Sequence, residues 1–114
     1  MGKLLQIRVS AATYDEAGVV RIWPRLSRLA WGVDRVPGAA YGVLELGRTL
    51  AEKKRLGMLS REAVAVLADG PERLEELVSR LESALGDWKA SEANRLSDDL
   101  EDALSELEKA AEKL

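Results

Sequence analysis

Near the end of the chain Leu96, Leu100, Ala103, Leu107, Ala110 and Leu114 follow one another in steps of four and three. Only a helix gathers that spacing into one stripe, and a stripe that returns every seven residues has the form of a coiled-coil seam. A second apolar face precedes it, made of Leu74, Leu77, Val78, Leu81, Leu85 and Trp88. Residues 74–85 set against 100–111 give six identities in twelve, at an offset of 26 residues. On an ideal helix that offset leaves the two stripes about 80° apart, so one straight rod cannot turn both toward the same neighbour. A break between Gly86 and Ser91 is therefore expected. The spacing predicts an antiparallel, coiled-coil-like αα-hairpin over 71–87 and 92–113, with one kinked helix as the alternative.

Such a hairpin needs something to lie against. Burying the leucines of the final seam does not offset the entropy of ordering the helix that carries them. The remaining face adds strain, since Asp98 with Asp102, Asp102 with Glu106, and Glu108 with Glu112 are like charges four residues apart. Three partners are conceivable: the rest of the chain, a second copy, or an external cationic surface. The charge distribution bears on this. Residues 1–61 hold eleven Lys and Arg against five Asp and Glu, a balance of +6, whereas residues 62–114 hold six against fifteen, a balance of −9. Two halves of opposite sign have different partners or each other.

Upstream of the hairpin the pattern is less regular. Residues 3–10 place Leu5, Ile7 and Val9 on one side and Gln6 and Arg8 on the other, the period of a short N-terminal β segment. A lone strand needs an edge, either at residues 19–23 or in another copy. Thr13 and Glu16 have the spacing of a helix-start capping box, which favours a helix over 14–22 instead of a strand at 19–23. Pro24 has no amide proton, so the helix kinks there or restarts as a second one over 24–31. Residues 32–38, Gly-Val-Asp-Arg-Val-Pro-Gly, form a loop. Val43, Leu46, Gly47 and Leu50 predict a helix that ends at Gly57 behind Lys53, Lys54 and Arg55. Ser60 then caps a helix over 61–68 with Ala63, Val64 and Leu67 inward, and Asp69-Gly70-Pro71 turns the corner. The expected fold class is mainly α: a single compact helical domain over 1–114, its core aliphatic because there is no Phe and only five aromatic residues occur.

The composition removes whole classes of chemistry. With neither Cys nor His, there can be no disulfide, thiolate nucleophile, imidazole base, haem ligation or zinc site of the usual kind. Ser, Thr, Lys and Tyr show no nucleophile elbow and no phosphate-cradling glycine loop. The acidic run Asp98, Asp99, Glu101 and Asp102 lacks the alternating ligands and central glycine of a calcium loop. No catalytic residue, metal ligand or cofactor is assigned, and the chain is not expected to be an enzyme. Arg21, Arg25 and Arg28 share one stripe if 19–31 is helical, and could meet an anion or nucleic acid. Their plainer role is to face the chain's own acidic helices. Residues 43–69 trace the outline of a helix-turn-helix, but the second helix offers Arg61 and an aliphatic surface in place of base-reading side chains. The tryptophans read as core or interface residues.

The leading functional reading is a non-catalytic interaction or scaffold protein. It self-associates as a homodimer through Leu74, Val78, Leu81, Leu85 and the seam from Leu96 to Leu114, or through the N-terminal strand. The rival is a nucleic-acid-associated regulator that uses the arginine-bearing half. No membrane-spanning run or secretion signal is seen, which makes the cytoplasm the expected location.

Overall fold

The computed structural model describes residues 16–32 and 41–114, and within them six helices form one helical core. These are α1 (Glu16–Ile22), α2 (Pro24–Trp31), α3 (Val43–Arg55), α4 (Arg61–Leu67), α5 (Gly70–Gly86) and α6 (Ala90–Ala111). The β segment expected over 3–10 and Thr13 of the expected capping box lie outside the described residues, and no strand occurs among those described.

The break between α1 and α2 follows from Pro24. Its ring pushes the preceding residue out of helical conformation, and Trp23 sits at φ −123° and ψ 65°. Residues 19–23 are thus the end of a helix and the break itself, not a strand. Trp23 is buried, and its indole N–H donates to Ser105 Oγ of α6 at 3.1 Å. At the other end of α2, Trp31 meets Tyr41 edge to face with ring centroids 5.0 Å apart.

Helices α5 and α6 form the expected hairpin, turning at residues 87–89. The turn is a Schellman motif: Lys89 N–H donates to the Ala84 carbonyl at 2.8 Å and Trp88 N–H to the Leu85 carbonyl at 3.1 Å. The same motif ends α3, where Met58 N–H donates to Lys53 and Gly57 N–H to Lys54. Each needs one residue at positive φ: Gly57 supplies it at 70° and Trp88 at 60°. Trp88, expected on the apolar face of α5, is instead carried out to solvent by this turn.

The seam of α6 also shifts from its expected register. The buried residues are Ala93, Leu96, Leu100, Leu104, Leu107, Glu108 and Ala111. From Ala93 to Ala111 the apolar stripe advances 18 residues in five turns, the 3.6 period of a straight helix rather than the 3.5 of a supercoil. Leu104 and Ala111 occupy the centre, Ala103 and Ala110 flank them half-buried, and Leu114 lies beyond the helix, 51% exposed. What covers the stripe is the same chain. Helix α6 packs on α5, α2 and α4, and α3 packs on α5 and α2. A close approach at the base of α5 depends on Gly70, where a Cβ would fall 2.5 Å from Leu107 Cδ1.

The two charged halves meet. Arg25 pairs with Glu108 at 3.3 Å, Lys54 with Glu72 at 2.8 Å, Arg55 with Glu75 at 3.0 Å, and Arg48 with Glu82. Each pair joins a cation from the first 61 residues to an anion from the remainder. Because Arg48, early in α3, pairs with Glu82 late in α5, while Lys54 and Arg55 at the end of α3 pair with Glu72 and Glu75 near the start of α5, these two helices are antiparallel.

Candidate interaction surface

Two local arrangements show how the basic half is used. Helix α2 begins at Pro24 without a side-chain cap of its own, leaving the amides of its first turn without acceptors. Glu108 of α6 supplies them: its Oε1 accepts Arg25 N–H at 3.1 Å and Leu26 N–H at 3.0 Å, and its Oε2 accepts from the Arg25 guanidinium at 3.3 Å. Glu108 is 8% exposed, so the outer-face position expected from its spacing to Glu112 is corrected. The carboxylate lies inward because an uncapped, positively polarised helix end waits there. Lys54 does similar work at the next corner. Its ammonium donates to the Ala68 carbonyl at the end of α4 and to Glu72 in the first turn of α5. That contact holds the Glu72 carboxyl below the ordinary glutamate range, while Glu82 raises the Arg48 guanidinium above its own.

Of the arginine stripe, Arg21, Arg25 and Arg28 are all exposed, but the Trp23–Pro24 break divides them and Arg25 is turned onto Glu108. Of the expected self-association residues, Leu74, Val78, Leu81, Leu96, Leu100 and Leu107 are buried within the single chain, and Leu85 is half-buried. The structure brings the two stripes together against each other and their neighbours, not toward a common outer face.

Apolar surface stays open elsewhere. Beside the C-terminal end of α6 lies a groove of about 590 Å³ lined by Leu29, Ser60, Glu62, Ala65, Val66, Lys113 and Leu114. It continues through Leu29 and Leu114 into a smaller hollow of about 150 Å³ that Arg25 and Arg28 border. At the N-terminal end of α6, Trp88 is 57% exposed beside Leu85 and Lys89. A third groove, about 470 Å³, runs between α3 and α5 past Lys54, Arg55, Glu72 and Glu75, whose charged groups already bind one another.

Among the described residues no group of three or more acidic side chains is placed to hold a metal ion, and no helix is long and apolar enough to cross a membrane. No known protein family, curated protein or solved structure matches the chain. Sequence reasoning missed both Glu108 and the groove. A helix that starts at Pro24 with Trp before it signals a missing cap; the acceptor that supplies it, 83 residues away, is visible only in three dimensions.

Proposed function

We propose that this chain is a small, non-catalytic helical interaction protein that self-associates, and that the contact lies outside the leucine seam. The supporting observation is the groove at Leu29, Ala65, Val66 and Leu114, an apolar surface bordered by charged side chains. Open apolar surface rimmed by polar groups is the mark of a docking site. The non-catalytic reading rests on the absence of Cys and His, which leaves neither a thiolate nucleophile nor an imidazole base.

Sedimentation equilibrium tests the proposal from about 10 to 500 micromolar, the range in which a small interface reveals itself. The average mass is expected to rise with concentration while far-ultraviolet circular dichroism stays constant, because the helices are complete within one chain. A monomer throughout removes the reading.

A further inference from the structure

We propose that the contact is head to tail: the Trp88 indole of one copy seats in the groove at Leu29, Ala65, Val66 and Leu114 of the next. This rests on the self-association reading and names its two surfaces.

Three observations converge on Trp88. First, the backbone argues against a filler residue. Two Schellman turns of the same hydrogen-bond pattern end α3 and α5, and the position that must take positive φ is Gly57 in one and Trp88 in the other. Glycine enters that conformation at little cost, whereas a bulky aromatic is strained there. Second, the side chain leaves more than half of its surface in solvent, being 57% exposed, while the other two tryptophans are drawn into or against the core. Strain with so much of the ring uncovered is explained if the indole is buried by another molecule. Third, the groove suits it. Its volume of about 590 Å³ exceeds that of an indole, its walls are aliphatic, and Ser60 and Glu62 offer acceptors for the ring N–H.

Geometry makes the occupant a second copy. Trp88 precedes the first turn of α6 and the groove flanks its last, and a helix of 22 residues is about 33 Å long, so a chain cannot fill its own groove. Charge also complements: Asp87 and Lys89 flank Trp88, while Lys113 and Glu62 line the groove, so each charge beside the indole has one of opposite sign to meet. Because the two surfaces differ, the contact is heterologous and propagates into rings or open chains instead of closing as a two-fold dimer. One aromatic anchor with a charged rim gives a small interface and a weak, reversible association.

The decisive experiment uses complementary variants. Trp88→Ala removes the knob and keeps the groove; Ala65→Arg, on an exposed position of α4, fills the groove and keeps the knob. Each alone is expected to weaken association by at least about tenfold in sedimentation equilibrium, with unchanged circular dichroism. Mixed, they retain one intact pair of surfaces and are expected to form a 1:1 heterodimer that grows no further. In wild type, tryptophan emission is expected to shift to the blue as concentration rises, and in Trp88→Ala to stay fixed. Association of the wild type that neither substitution weakens overturns the head-to-tail contact while leaving self-association standing. Loss in both variants with no heterodimer on mixing also overturns it. A wild type that is monomeric throughout overturns both.

Discussion

The Glu108 carboxylate of α6 accepts the backbone N–H of Leu26 at 3.0 Å, across 82 residues of sequence. It ties the start of a short helix to the last turns of the longest one. Helix α2 has eight residues, too few to stand alone, and Pro24 denies it the turn before it. Its first amides are satisfied only because α6 places an acidic side chain opposite them. The charge asymmetry of the sequence has here a specific use: acidic α6 caps a helix of the basic half.

Replacing Glu108 with Ala leaves the Leu26 amide buried without an acceptor and is expected to lower stability by about 2–3 kcal/mol, or roughly 10 °C in melting temperature. Glu108→Gln keeps an acceptor oxygen and is expected to cost about half as much. Urea unfolding followed by circular dichroism measures both; a loss under about 0.5 kcal/mol for the alanine variant contradicts the capping role.

At the end of α4, Ala68 has φ 49° and ψ −123°, and Asp69 follows at φ −90° and ψ 7°. These are the two central residues of a type II′ turn, whose first position favours glycine. Ala68 is exposed, so its methyl contributes little packing. Relief of backbone strain outweighs the added freedom of the unfolded chain, and Ala68→Gly is expected to stabilise by about 1 kcal/mol. Chemical denaturation reports the sign directly.

The elements legible in the sequence are those set by local rules. Ser60 caps α4 through the Ala63 amide at 3.1 Å, Pro24 starts α2, and the break after Gly86 produces the hairpin. Local signals failed where two structures share nearly the same spacing. Over some twenty residues a 3.5 and a 3.6 period agree at Leu96, Leu100 and Leu107 and diverge at Leu104 and Ala111, so the sequence suggested a supercoiled seam where a straight helix packs in its own core. Trp88, three residues after Leu85, continued the apolar pattern on paper, but the Schellman turn reverses its direction. Glu108 and the groove at Leu29 and Leu114 depend on segments far apart in the chain, and no periodicity encodes them.

Ser27 lies in the middle of α2, buried, and among the described side chains its hydroxyl has no hydrogen-bond partner. A desolvated hydroxyl without a partner opposes folding, and alanine is the better helix former. Ser27→Ala is expected to raise stability by about 1 kcal/mol in urea unfolding. A fall of that size instead places an acceptor within reach of the hydroxyl in solution.

Lys54 holds Glu72 below its ordinary value, so the folded state binds that proton less readily than the unfolded chain. The pair therefore stabilises fully above the unfolded glutamate pKa, and the gain disappears as the pH falls through the folded one. Glu72 is largely exposed, with 61% of its side chain accessible, which limits the effect to a few tenths of a kcal/mol. Glu72→Gln is expected to be slightly less stable than wild type at neutral pH and equal to it at pH near 3, with matched denaturation curves as the check.

The straight-helix packing of α6 separates two leucines that a heptad treats alike. Leu104 is fully buried among α6's neighbours, and Leu104→Ala removes three carbons from a site with no room to collapse. The expected loss is about 2–5 kcal/mol. Leu114 is 51% exposed beyond the helix, and Leu114→Ala is expected to change stability by less than about 0.5 kcal/mol. Both measurements, made at two protein concentrations a hundredfold apart, also locate the seam. A core closed within one chain gives a Leu104→Ala loss that does not depend on concentration, whereas a seam shared between copies gives a loss that grows on dilution.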